Sequence, residues 1–301
     1  MKKIFLTIFS ILFFIPVAVS ADELTEYYTN KNNVKMTIEQ YKRLVEVYGE
    51  IAVENMPQNI FDNEKNMIYV KLNEETKYIE TKYTKDTFGN ILKTEENEIT
   101  KEKYNKSILT SNNPIIRNSN PTHETTYKKL TITEYGANPG SDGGYTASRF
   151  LLTTDWKSMP SVRSYDVTGF RFQNFNVTLS TIWGQLRYST DGSLYTVQNY
   201  DTSSSGYKAP GGGGFGISMK LPSSTAIKSI QSQVSATGTY TNMTTYGAYG
   251  SYQHATSNVS ETSSKLYTIS STGMGKVFKF NSSVSSKYDN TQGVSTGGYN
   301  F

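Results

Sequence analysis

The sequence predicts an all-β fold: an antiparallel β-sandwich or jelly-roll-like C-terminal domain, preceded by a small α+β region made of a short helix and a charged β-hairpin. Three observations carry that expectation. Large apolar residues first recur densely between Ser148 and Val177, in Arg149-Phe150-Leu151-Leu152, Asp155-Trp156 and the run from Ser164 to Phe172, and later segments keep an extended, alternating pattern. The chain holds 23 Tyr and 14 Phe among abundant Thr, residue types that fit pleated, half-buried surfaces. Charge thins near Leu130, with 18 acidic and 16 basic residues between Asp22 and Leu130 but 8 and 12 in the longer remainder. That drop sets the expected organisation: signal peptide 1–21, a helical and β-hairpin region 22–105, a linker 106–126 and a β-sandwich 127–301.

Taken in order, Lys2-Lys3, the apolar run Ile4 to Ile15 and the small residues up to Ala21 read as a secretory leader cleaved before Asp22, so the protein is expected to be secreted. Thr37-Ile38-Glu39-Gln40 reads as a capping box, and Tyr41, Leu44, Val45 and Tyr48 follow at helical spacing up to Gly49. A further turn before Pro57 and the pair Ile60-Phe61 suggest a small helical hairpin. From Met67 the period becomes two. Tyr78 to Lys85, a turn at Asp86 to Asn90, and Ile91 to Ile99 form a hairpin so charged that a solvated ribbon or a leaning arm is expected.

The second region opens with Tyr127 to Tyr135 and continues into the two strands around Phe150 and Phe170. Asp191-Gly192 between extended runs signals a hairpin whose favoured two-residue turn needs positive φ. Phe215, Ile217, Met219 and Leu221 alternate as a one-sided strand. Ile230 to Thr239, Tyr246 to His254, Lys265 to Ser270 and Lys276 to Phe280 bring the total to roughly nine or ten strands, a number that suits a sandwich or jelly roll.

Composition bounds the chemistry. Cysteine is absent, so disulfides, thiolate nucleophiles and Cys-ligated metals are excluded. With His123 and His254 the only histidines, no metal site and no cofactor is expected. The formal charge of +4 includes Lys2 and Lys3, and the remainder is no electrostatic footprint for nucleic acid. Asp155 and Asp166 are candidates for a facing carboxylate pair, against ordinary salt bridges, and His254 for a triad member, against a structural histidine. Ala209 to Phe215, with four consecutive Gly, is followed by a strand where a phosphate loop needs a helix, so it reads as a flexible loop that would suit a mobile lip and not as a phosphate loop. Ser229 to Ser260 holds no Asp, Glu, Lys or Arg, which raises a membrane-crossing β-hairpin as an alternative to a soluble Thr-coated sheet. Tyr246, Tyr249 and Tyr252 crowd one segment beside His254; these four residues form the candidate ligand-binding face, against internal packing.

Met36 to Tyr41, Met159 to Val167, Gly250 to Ala255 and the stretch from Tyr267 through Lys287-Tyr288-Asp289 to Val294 resemble uncharacterised exported proteins of Firmicutes. The likeness implies a Gram-positive secreted origin and carries no mechanism. The expected function is therefore a secreted, non-enzymatic binding protein that contacts carbohydrate, cell envelope or an extracellular protein through a Tyr/Ser/Thr-rich β surface. A membrane-active pore-former and a hydrolase using Asp155, Asp166 and His254 stand as alternatives.

Overall fold

The computed structural model describes residues 26–111, 123–138, 140, 144–211, 213–242, 245–270, 276–291 and 293–296. The expected leader and most of the expected linker lie outside these residues. The front of the chain contains β1 (Tyr27–Thr29), β2 (Lys35–Thr37), α1 (Ile38–Tyr48), α2 (Glu50–Glu54) and α3 (Gln58–Glu64). Then follow β3 (Tyr69–Lys85), β4 (Ile91–Ile99), α4 (Lys101–Ser111), β5 (His123–Ala137), β6 (Ala147–Trp156), β7 (Tyr165–Gln173), β8 (Phe175–Val177), β9 (Trp183–Ser189), β10 (Thr196–Asp201), β11 (Tyr207–Lys208) and β12 (Gly214–Lys220). The chain closes with β13 (Ser229–Tyr240), β14 (Gly247–Gln253), α5 (Glu261–Ser264), β15 (Tyr267–Ile269), β16 (Phe278–Phe280), α6 (Ser282–Ser285) and β17 (Val294–Thr296).

Apart from two small two-stranded sheets, β1-β2 and β15-β16, the strands build two antiparallel sheets packed face to face, the sandwich that the alternating sequence predicts. The larger runs β10-β9-β13-β6-β5-β3-β4, with β8 on the end of β13, and the smaller runs β11-β12-β7-β14-β17. Period-two alternation places Phe150, Leu152 and Trp156 of β6 with Ile230, Val234 and Ala236 of β13 on one inner face. Phe170, Phe172, Phe215, Ile217 and Met219 of the smaller sheet meet them. The rings of Phe170, Phe172 and Phe175 stack with centroids 5.3 and 5.4 Å apart. Gly250 lets the sheets approach: a Cβ there would lie 2.6 Å from a methyl of Leu152 in the opposite sheet.

The front region is part of this sandwich. Strand β3 pairs with β5 from Tyr69↔Ala137 to Thr84↔His123, and β4 pairs with the second half of β3. The expected solvated ribbon is thus corrected. Many of its charged residues are exposed, but Ile79, Tyr83 and Glu80 are buried, and Glu96 of β4 turns toward the interior beside Lys128. The helices lie on the outer face of the larger sheet, where Leu44, Val47, Val53, Ile60 and Phe61 pack on Leu151 and Trp183. The capping box forms as read from the sequence, with the Gln40 amide donating to Thr37 Oγ1 at 3.1 Å and the Thr37 amide donating to Gln40 Oε1 at 2.9 Å. Asp191 and Gly192 do lie between paired strands β9 and β10, but in a longer loop. Only Gly192 has positive φ, and Asp191 takes the amides of Ser193 and Leu194 instead.

One buried ion pair fastens the helical layer. Arg149, on the outer face of β6, meets Glu64 at 2.9 Å, both side chains being at most 1% exposed. Tyr48 and Tyr69 each donate to the same carboxylate at 2.8 Å, and the guanidinium also reaches Ser235 Oγ. Removing one partner strands a charge in a desolvated site. Glu64→Gln is expected to lower the unfolding free energy by ~3–5 kcal/mol, whereas the combined Glu64→Leu, Arg149→Met change recovers a large part of the loss. Urea midpoints at unchanged m-value measure both; equal losses in the single and double variants would contradict the assignment.

Candidate functional site

The inner faces of the sheets are apolar through their middle and become polar at the end where β6 leaves and β7 enters. Asp166 shares inward parity with Thr168, Phe170 and Phe172 on β7, so its carboxylate points into the sandwich. A buried carboxylate needs its lone pairs filled. Tyr252, opposite on β14, donates its hydroxyl to Asp166 Oδ2, the Ala255 amide donates to Oδ1 at 2.9 Å, and His254 Nδ1 lies 3.0 Å from both oxygens. The Trp156 indole of the larger sheet donates to the Tyr252 oxygen at 3.0 Å, so the network crosses between sheets. Burial first, and then the Asp166 charge, push the Tyr252 phenol well above its ordinary range, so it remains a donor.

A second arm joins the first through Asp289. Its Oδ1 accepts the His254 amide at 2.9 Å, while its Oδ2 accepts from Lys128, an ammonium on the inner face of β5 that is 1% exposed. Lys128 also donates to Thr291 and, at 3.2 Å, to Glu96. Burial and then the neighbouring Asp289 raise the Glu96 carboxyl above its ordinary value, since one ammonium serves two acids.

The candidate residues are therefore distributed differently from the sequence expectation. Asp166 and His254 do come together, but each is 1% exposed and committed to the network. Asp155 lies on β6, in the other sheet, and pairs with Lys129 at 2.7 Å, so the expected facing of Asp155 and Asp166 across adjacent strands is corrected. Tyr246 and Tyr252 are buried, and only Tyr249 is part-exposed, over the Arg171 guanidinium at 4.0 Å. The expected exposed face of Tyr246, Tyr249, Tyr252 and His254 is thus corrected: in these strands inward parity takes Tyr252 to the core, and Tyr246 packs on Tyr240. Nor does Ser229 to Ser260 form a hairpin. Strand β13 is an interior strand of the larger sheet and β14 an interior strand of the smaller, so the uncharged segment contributes to both layers.

Next to the network in sequence lies an open cleft of about 550 Å³. It gathers the β3–β4 turn, the β6–β7 loop, the β12–β13 loop, the chain after β14 and the chain after α6. Its lining includes Ser161, Arg163, Ser223, Thr256, Asn258 and Lys287. The walls are tied together: Thr256 donates its amide to the Lys287 carbonyl at 2.8 Å, Asp289 its amide to the His254 carbonyl at 2.9 Å, and Ala255 bridges Tyr288. Ser164 Oγ exchanges hydrogen bonds with the Val259 backbone at 2.8 and 2.9 Å. A separate hollow of about 290 Å³ is bounded by Phe175, Val177, Tyr207, Gly211, Gly213 and Gly214.

Among the described residues no group of three His, Asp or Glu is arranged to hold a metal ion, and no helix is long and apolar enough to cross a membrane. Sequence reasoning missed Lys128, Asp289 and Lys287. A lysine at the inward parity of Leu130 and Ile132 was the available signal for the first. Comparison with family models, curated proteins and solved structures finds no match for this chain.

Two outcomes follow from the network. Asp166→Asn is expected to cost ~2–4 kcal/mol of stability, since hydrogen bonds to a buried charge are lost, while Asp155→Asn costs less than about 1 kcal/mol. Equal small effects in chemical denaturation would remove Asp166 from its central place. Glu96 has a folded-state pKa above its unfolded value of 4.5, so its stabilising contribution is present below that value and is lost as pH rises through the folded one. Glu96→Gln should then be the more stable protein at pH 8, and the two denaturation curves should converge below pH 4.5.

Proposed function

We propose that this chain is an exported, non-enzymatic binding protein that holds carbohydrate of the kind displayed on a cell envelope, in the cleft at the loop end of the sandwich. The observation that carries the reading is the lining of that cleft. Among the described residues it offers hydroxyls, side-chain amides and two cations, and no carboxylate and no imidazole. Such a surface exchanges hydrogen bonds with sugar hydroxyls but presents no acid and base pair to a glycosidic bond. The hydrolase alternative needs Asp166 and His254 to reach a substrate, and their burial weighs against it. The pore-forming alternative needs Ser229 to Ser260 to leave two different sheets at once.

Retention on immobilised glycans and cell-wall fractions, followed by assay of released reducing ends, tests the proposal. Retention without release is expected, and Ser223→Trp, which fills the cleft, should weaken it about tenfold, or ~1.4 kcal/mol. Release of reducing ends that disappears in Asp166→Asn would overturn the binding reading in favour of hydrolysis. Dye leakage from liposomes at matched concentration would favour the pore-forming one.

A further inference from the structure

The cleft carries an uncompensated charge. Arg163 and Lys287 both line it, and among the described residues neither lies within ion-pair distance of a carboxylate. The acids that border these loops are occupied. Glu124 is paired with Lys85 and takes the Ser161 amide at 2.9 Å, and Asp86 accepts the amides of Phe88 and Asn90 within its own turn. Arg163 is also pre-positioned. Its Nε donates to the Pro160 carbonyl at 3.2 Å and its Nη1 to the carbonyls of Pro222 and Ser224, which leaves Nη2 with no partner among the described residues. These carbonyls fix the plane of the guanidinium without neutralising it. Burial pulls the Arg163 guanidinium below its usual range, and the charge of Glu124 only partly offsets this. An arriving anion would relieve that penalty.

We infer that the ligand of this cleft is an anionic polyol or glycan, whose phosphate or carboxylate groups sit between Arg163 and Lys287 while its hydroxyls meet Ser161, Ser223, Thr256 and Asn258. The inference rests on the carbohydrate-binding reading and narrows it. Both anions present oxygens to a planar guanidinium, and Lys287 supplies a point charge from the facing loop. Binding by this route weakens with salt, because part of the attraction is between charges near the surface.

Titration calorimetry with the full chain decides the matter, using poly(glycerol phosphate), oligogalacturonate and a neutral maltooligosaccharide of similar length. One or both anionic probes should bind at least ~10-fold tighter than the neutral one, and the phosphate and uronate arms identify which anion is preferred. Lys287→Ala should lose at least ~5-fold for the preferred anion with an unchanged urea midpoint, Lys287→Arg should retain it, and Lys42→Ala, an exposed lysine on α1, should match wild type. Equal affinity for neutral and anionic probes, with no effect of Lys287→Ala, would overturn the anionic ligand and leave the carbohydrate reading standing. Loss in Lys42→Ala equal to that in Lys287→Ala would reduce the effect to general charge and overturn the site. Binding of none of the probes would remove this inference, and glycan retention by the same protein would then decide separately whether the broader reading survives.

Discussion

A carboxylate placed between two β-sheets is the constraint on which this architecture depends. Asp166 cannot be left inside the sandwich without donors for its oxygens, and those donors come from distant segments: Tyr252 and Ala255 from β14 and the chain after it, with the His254 ring alongside. Meeting that need fixes the register of β7 against β14, since a one-residue slip would turn Asp166 outward and Val167 inward. Trp156 and Lys128 extend the requirement to the larger sheet. Buried networks of this kind gain little net free energy relative to an apolar core, but they penalise every incorrect pairing.

The same logic operates once more on the outer face. Glu64 and Arg149 join α3 to β6, and Tyr48, Tyr69 and Ser235 complete their hydrogen bonding. Apolar packing of Leu44, Val53 and Phe61 on Leu151 and Trp183 supplies the attraction between layers. Apolar contact alone is non-directional. The ion pair selects one placement of the helices, and with it the course of the chain into β3, whose long pairing with β5 makes the front region a continuation of the sandwich.

Much of this was legible in the sequence where side-chain period decides the outcome. The capping box at Thr37 and Gln40, the alternating run from Phe215 to Met219 and the strand around Val234 appear where their patterns place them. What the patterns do not encode is which strands become neighbours. Asp155 and Asp166 are close in sequence, yet β6 and β7 belong to different sheets. Charged strand β3 reads as solvated because its exposed residues outnumber Ile79 and Tyr83, but its backbone hydrogen bonds join it to β5 regardless. Tyr246 and Tyr252 illustrate a further limit. Tyrosine suits both a contact surface and a core with a polar partner, and only the three-dimensional position of Asp166 sends Tyr252 inward.

An acid beside an imidazole is the arrangement that orients a general base, so its meaning here turns on access. Asp166 and His254 lie under the strap formed by Ala255 with Tyr288 and by Thr256 with Lys287. Both side chains are 1% exposed, and the Tyr252 hydroxyl on Asp166 also takes the Trp156 indole of the other sheet, so displacing it would unmake a link between the sheets. The strap leads directly to the cleft, because Thr256, Asn258 and Lys287 are the lining residues that follow or precede it in the chain. Loops fixed from beneath lose less conformational freedom when a ligand arrives. The buried pair therefore anchors the strap from which Lys287 and the Thr256 to Asn258 segment reach the cleft that Arg163 also lines.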